Sequence, residues 1–108
     1  MTPAPVPCRP NCMLACPLDA WSTYLLDDDS DHPPGWRLGH LIGWGRIPSD
    51  RWTDALAMTA ATYDPGEVID ALRYLADHWT SATFTAADRQ RAVALLDRWT
   101  RATRRAAA

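Results

Sequence analysis

The strongest constraint on the fold is a helix start signal in the middle of the chain, Asp64-Pro65-Gly66-Glu67. Asp is a favoured N-cap, Pro is compatible with the first helical position, and Glu three residues after the cap completes a capping pattern. Apolar residues then recur at the spacing of one helix face: Val68, Ile69, Leu72, Leu75, Ala76 and Trp79. The sequence therefore predicts an amphipathic helix over about 66–80.

Two further segments of the second half carry the same periodicity. A helix over about 49–63 is capped by Ser49, and its apolar positions are Trp52, Ala55, Leu56, Thr59 and Tyr63. A helix over about 85–105 is capped by Thr85 with Asp88, and its apolar positions are Ala92, Leu95, Leu96 and Trp99. Three amphipathic helices joined by short links predict an all-α fold, a small compact helical bundle.

The first half of the chain is less regular and adds one or two short helices to this prediction. Residues 17–26 place apolar side chains at helical spacing, whereas the apolar piece 36–45 is weakened by Gly39 and Gly43 and is expected to form a helical turn or two. The acidic run that ends in Pro33-Pro34 is expected to separate them. We expect a Pro/Cys-rich flexible arm at 1–16 and a single helical domain at 17–108.

The core must be built from few aliphatic side chains. Leu, Ile, Val and Phe supply only 18 of the 108 residues, but the chain has six Trp, and each buried Trp covers on the order of 200 Å². Trp52, Trp79 and Trp99 fall on the predicted helical stripes. We therefore expect the tryptophans of these stripes to anchor their helices in the core.

Two tryptophans have no clear helical face to fill, Trp36 and Trp44. Trp and Arg dominate the binding energy of protein interfaces, and Arg37 and Arg46 lie close by in the sequence. These four residues are the predicted partner-binding site. The alternative is that both indoles pack the N-terminal segment over the bundle.

Composition excludes several classes of function. The chain has no Lys, which excludes Schiff-base catalysis and a P-loop. The three near-neutral bases, His32, His40 and His78, lie in no triad-like motif, so we expect no enzyme activity. With no signal peptide or membrane span in the sequence, we expect a cytoplasmic protein. A composition that is rich in Ala and uses Arg in place of Lys is typical of proteins from an actinobacterium or one of its phages.

Three cysteines offer a metal-site alternative. Cys8, Cys12 and Cys16 are spaced C-x3-C-x3-C, and His32 is a candidate fourth ligand for Zn²⁺ or an iron–sulfur cluster. This spacing differs from the usual C-x2-4-C pairs of zinc sites and the C-x2-C runs of ferredoxins. Free thiols, or an intermolecular disulfide in a homodimer, are the other interpretations, and we expect no cofactor.

A basic C-terminus offers a nucleic-acid alternative. Residues 88–108 carry a net charge of +4, whereas residues 1–35 carry −4. The candidate nucleic-acid-binding residues are Arg91, Arg98, Arg101, Arg104 and Arg105. The segments 50–62 and 67–79 have the lengths of a helix-turn-helix, but the second exposes Glu67, Asp70 and Asp77, which would repel phosphates.

The sequence thus favours a small non-enzymatic binding or regulatory protein that acts through protein–protein contacts, with a homodimer as one arrangement. A DNA- or RNA-binding regulator that uses the basic C-terminal helix is the first alternative. A Zn or Fe–S regulator that uses the N-terminal cysteines is the second. The recurring Asp-x-Trp-Ser/Thr pattern is assigned to helix anchoring by its tryptophans, and a ligand-binding aromatic cage is the alternative.

Overall fold

The computed structural model describes residues 20–107 of the chain, which form five α-helices. In chain order these are α1 (Ala20–Leu25), α2 (Pro34–Gly43), α3 (Trp52–Thr62), α4 (Pro65–Asp77) and α5 (Ala86–Ala107), with a 3-10 turn over Ser49–Arg51 before α3. No strand occurs in residues 20–107, and the predicted all-α fold is confirmed. None of these helices is long and apolar enough to cross a membrane.

The boundaries of the three main helices differ slightly from the prediction. Ser49 is the first residue of the 3-10 turn, whose N-cap is Pro48, and the N-cap of α3 is Arg51. The predicted Ser49 cap is therefore wrong, and the segment 49–63 contains a tight turn followed by α3. The helix predicted over 66–80 ends at Asp77, where His78 is the C-cap. The helix predicted over 85–105 is α5. The predicted arm at 1–16 lies outside the described residues.

The largest departure is α2, a full helix of ten residues where only a turn or two was expected. Pro33-Pro34 starts this helix, because Pro33 is its extended N-cap and Pro34 is its first residue. Pro is well tolerated at the first helical position, where its missing N–H has no helical partner to lose. The two prolines therefore end the acidic loop and begin a helix at the same point.

Helix α4 is the centre of the bundle and packs against α2, α3 and α5. Its inward side chains Val68, Leu72 and Leu75 have no exposed surface. Helix α1 packs against α2 and contributes Trp21 and Leu25 to the same core. The other buried apolar residues are Leu38, Leu41, Ile42, Ile47, Trp52, Ala55, Leu56, Ala71, Trp79, Phe84, Ala92 and Leu95.

Polar contacts fix the helix ends. The Asp64 carboxylate accepts the Gly66 N–H and confirms the predicted cap, but the Glu67 carboxylate accepts the Gly35 N–H at 2.8 Å and so ties α4 to the start of α2. At the start of α5, Thr85 and Asp88 accept each other's backbone N–H groups. This reciprocal pair is the capping box that the sequence predicts there.

The C-terminal end of α4 is capped by an arginine of α5. The Arg89 guanidinium donates to the carbonyl oxygens of Leu75 (2.8 Å), Ala76 (2.9 Å) and Trp79, and it lies 5.4 Å from the Phe84 ring centre. The last carbonyls of a helix have no partner within the helix. Arg89 supplies that partner and joins α4 to α5.

The tryptophans divide by burial. Trp21, Trp52 and Trp79 are buried, and Trp99 packs against the core from a half-buried position. The prediction that Trp79 lies on a helical stripe is wrong, because α4 ends two residues earlier and Trp79 enters the core from the following loop. Trp36 and Trp44 are exposed.

Candidate functional site

Four large aromatic side chains are exposed on one side of the bundle. Trp44 is 54% exposed, Tyr74 45%, Tyr24 40% and Trp36 39%. Together with His40, which contacts Trp36 and Tyr74, they define the aromatic patch. Exposed apolar side chains that cluster in this way mark interaction surfaces, whereas isolated ones do not.

Trp36 is held between two imidazole rings. The ring centre of His32 lies 3.7 Å from that of Trp36 on one side, and His40 lies 3.7 Å away on the other, both nearly parallel to the indole. His40 is four residues after Trp36, so helix α2 places the two side chains on the same face. His40 Nδ1 also donates to the Trp36 carbonyl oxygen at 2.8 Å, which fixes the imidazole against the helix.

The floor of the patch is the buried indole of Trp79. Three patch residues contact it edge-on: His40 with ring centres 4.9 Å apart, Trp44 at 5.4 Å and Tyr74 at 6.0 Å. Edge-to-face pairs at these distances add about 0.5–1.5 kcal/mol each beyond burial. Trp79 therefore brings the end of α2 and the outer face of α4 into one surface.

A close approach at the last residue of α2 fixes Trp79 in this position. A Cβ atom placed on Gly43 would lie 2.1 Å from Cε2 of Trp79, so only glycine fits there. The Gly43 carbonyl accepts hydrogen bonds from the hydroxyls of Ser81 (3.0 Å) and Thr83 (2.6 Å). The indole N–H of Trp79 donates to Ser81 Oγ at 2.8 Å, which closes a network around the glycine.

A shallow groove of about 280 Å³ runs across the patch. Its lining is mostly aromatic, with one cationic side chain at the edge: Tyr24, Trp36, His40, Leu41, Trp44 and Arg46. The chain reverses direction after Trp44 at Gly45, which has a φ of 73°, a backbone conformation that glycine adopts without strain. This turn lets Trp44 and Arg46 border the same groove.

The structure brings three of the four predicted partner-binding residues together. Trp36, Trp44 and Arg46 line the groove, whereas Arg37 is 2% exposed and lies inside the fold. Arg37 donates to the Asp27 carbonyl oxygen, and its guanidinium lies 5.6 Å from the Tyr63 ring centre. Its position makes Arg37 a structural contact between α2 and the acidic loop.

The same contact includes a hydroxyl with a perturbed pKa. Tyr63 donates to Asp28 Oδ1 at 2.8 Å. Partial burial raises the pKa of Tyr63, the Asp28 carboxylate raises it further, and Arg37 acts in the opposite direction. The phenol therefore remains a hydrogen-bond donor to the acidic loop at neutral pH.

The arginines of the predicted nucleic-acid site lie in different environments along α5. Arg91 donates to the Ser49 carbonyl oxygen at 3.0 Å and covers the Trp52 ring, while Arg101 pairs with Asp97 at 3.0 Å on the exposed surface. Arg98 borders an apolar groove of about 320 Å³ together with Thr53, Leu95, Trp99 and Ala102. Arg104 and Arg105 are exposed.

The predicted metal ligands Cys8, Cys12 and Cys16 lie outside the described residues. His32, their proposed fourth ligand, is stacked on Trp36, and its backbone N–H donates to Ser30 Oγ at 3.2 Å. Within the part of the chain that the structure describes, no three His, Cys, Asp or Glu side chains are grouped so that they could hold a metal ion.

Four members of this site are not predicted from the sequence. Tyr24, His40 and Tyr74 belong to the patch, and Trp79 forms its floor. The spacing of Trp36 and His40 by four residues is the one signal that points to a shared helix face. Comparison with known proteins gives no further guide, because no family model, no curated protein and no solved structure matches the chain.

Proposed function

We propose that this chain is a small non-enzymatic binding or regulatory protein that contacts another protein through the aromatic patch. The observation that carries the proposal is the exposure of Trp44, 54% of whose surface remains open while one edge rests on Trp79. Large aromatic side chains and Arg are enriched at the centres of protein interfaces. Arg46 at the edge of the groove supplies the cationic member of such a site.

The surroundings of Trp44 support a role in binding. A tryptophan that only stabilises a core is covered on both faces, as Trp52 is, with 3% of its surface exposed. Trp44 instead follows the last residue of α2, and its described ring contact is an edge-on one with Trp79. Its removal therefore takes away little core packing but much of the accessible apolar surface of the patch.

We expect the Trp44→Ala substitution to weaken binding of a protein partner by at least about 30-fold, equivalent to about 2 kcal/mol for an interface hot spot. Partners are first captured from an extract of the native host and identified, and the purified pair is then titrated by calorimetry. Val93→Ala is the matched control, because Val93 is 50% exposed on α5 outside the patch. It should leave both affinity and melting temperature unchanged.

Two results would contradict this proposal. One is equal affinity of the Trp44→Ala and Val93→Ala variants for the purified partner. The other is loss of the folded state of Trp44→Ala at the temperature of the titration, which would assign the indole to the stability of the fold.

A second candidate function, nucleic-acid binding, is favoured by the exposed end of α5. Residues 101–106 are all exposed, and Arg98 and Arg105 lie seven residues apart on one side of the helix. Helix α4 is less suited to phosphate, because Asp70 and Asp77 are exposed on it. We therefore assign this alternative to α5 and not to a helix-turn-helix made by α3 and α4.

If α5 binds nucleic acid, the double substitution Arg98→Ser with Arg105→Ser should reduce the salt dependence of binding. Each lost phosphate contact lowers the slope of log K against log [salt] by about 0.9 on duplex DNA, so the expected change is about 1.8. Fluorescence polarisation with a labelled duplex at several salt concentrations measures it. Arg73→Ser on α4 is the control, and absence of binding at low salt eliminates this candidate.

A further inference from the structure

The groove of the aromatic patch has the chemistry of a polyproline-binding surface. Trp44 and Tyr24 present exposed rings around it, while Trp36, whose two faces are covered by His32 and His40, offers the edge of its indole. Pyrrolidine rings pack well against such aromatic walls. The indole N–H groups of Trp36 and Trp44 make no hydrogen bond to any described residue. They can therefore donate to the carbonyl oxygens of an extended ligand, which a polyproline II helix leaves free.

The sequence of this chain contains such a ligand. Residues 3–10 read Pro-Ala-Pro-Val-Pro-Cys-Arg-Pro, with prolines at 3, 5, 7 and 10. A polyproline II helix has three residues per turn, so in that conformation the P-x-x-P pair of Pro7 and Pro10 would share one face. Pro3 and Pro5 are two residues apart and do not share a face in this conformation.

The segment is attached close to the groove. Nine residues lie between Pro10 and Ala20, the first residue of α1, and the ten residue-to-residue steps between them span up to about 33–36 Å. Tyr24 of the groove lies four residues into α1, about 6 Å along the helix. The length of chain before α1 is therefore sufficient for residues 7–10 to reach the groove.

We propose that the groove binds the proline-rich segment of this same chain, residues 3–10, as a polyproline II helix seated through Pro7 and Pro10. The inference rests on the proposed function, because it names the class of ligand that the aromatic patch accepts. A partner protein that carries a P-x-x-P segment then competes with the chain's own segment for the patch. The segment acts as a built-in competitor that only ligands of the same chemistry displace.

Attachment favours the chain's own segment over one from solution. A short flexible connection gives an effective concentration on the order of 1 mM. For a free peptide with a Kd of about 100 µM, an attached competitor at that concentration weakens peptide binding about tenfold. This tenfold factor is the quantity to measure.

The test uses the full chain with Pro7→Ser and Pro10→Ser, and the matched control carries Pro3→Ser and Pro5→Ser. In ¹H–¹⁵N spectra, the indole N–H resonances of Trp36 and Trp44 should shift in the first variant, while those of the control stay close to the unsubstituted chain. The shift should be independent of protein concentration. A shift that becomes smaller on dilution would place the segment on a second copy, because a complex between copies dissociates on dilution, and would overturn the intramolecular assignment.

The second measurement titrates a synthetic peptide of residues 1–11 with Cys8→Ser into each chain. Binding should be about tenfold tighter to the Pro7→Ser, Pro10→Ser chain than to the unsubstituted chain, and it should be lost when Trp44→Ala is added. Equal affinities, or no binding to any chain, would overturn the inference. If the peptide fails while the native partner still requires Trp44, the proposed function stands and the ligand class is wrong.

Discussion

Gly43→Ala is expected to lower the free energy of unfolding by about 3 kcal/mol, at the upper end of the usual range for overpacking. The new methyl group would lie 2.1 Å from Cε2 of Trp79 and 2.5 Å from Cζ2. Trp79 cannot move away cheaply, because it is 6% exposed and its N–H is bonded to Ser81. Either the end of α2 or the indole must shift, and the network around the Gly43 carbonyl breaks.

Gly39→Ala is the matched control for this prediction. Gly39 lies one helical turn earlier in α2, and the nearest atoms to its added Cβ belong to Ala71 at 3.8 Å, an ordinary contact. Replacing a helical Gly by Ala where the methyl fits should stabilise the protein by about 0.5–1 kcal/mol. Urea unfolding followed by circular dichroism measures both, and equal stability of the two variants would refute the Trp79 clash.

Arg89→Met is expected to cost about 3 kcal/mol of unfolding free energy. The substitution keeps an apolar stem of similar length but leaves the carbonyls of Leu75, Ala76 and Trp79 without their donor. A half-buried acceptor that loses its partner costs about 1–3 kcal/mol. The unfolding free energy of Arg89→Lys should lie between those of the unsubstituted chain and Arg89→Met, because an ammonium group lacks the planar fork that reaches several carbonyls at once.

Arg104→Met serves as the control on the same helix, since Arg104 is exposed and its loss should change stability by less than about 0.5 kcal/mol. Hydrogen exchange gives a local readout for Arg89→Met. The amides of His78 and Trp79, which bond to the Tyr74 carbonyl, should lose protection before the rest of α4. An equal loss of amide protection in all helices of the bundle would mean that Arg89 contributes to global stability alone.

The sequence predicted helices well where the signals are local. The cap of α4 at Asp64 and the capping box of α5 each lie within four residues, so short-range patterns define them. Helix α2 was underestimated because Gly39 and Gly43 were interpreted as helix-weakening residues. Gly43 instead serves close packing, because it meets Trp79 across 36 positions of sequence, which no local pattern reveals.

The site was predicted only in part, again because contacts between distant segments leave no local pattern in the sequence. Trp36 and Trp44 are predicted as site residues because neither fits a buried helical stripe, and both are exposed. Arg37 was grouped with them by its position in the sequence, but adjacent residues of a helix point about 100° apart, so Arg37 lies in the interior. Tyr74 and Trp79 come from a distant segment, and only tertiary packing places them beside Trp36 and Trp44.

The imidazole rings on both sides of Trp36 also affect how tightly the patch can bind. Immobilising a mobile side chain at an interface costs about 0.5–1.5 kcal/mol in lost conformational entropy. The Trp36 indole is stacked between His32 and His40, and this stacking restricts its motion in the free protein. The conformational entropy of the Trp36 side chain is therefore already reduced in the folded free protein, and binding of a partner reduces it by less. A larger share of the contact energy is then left as binding free energy.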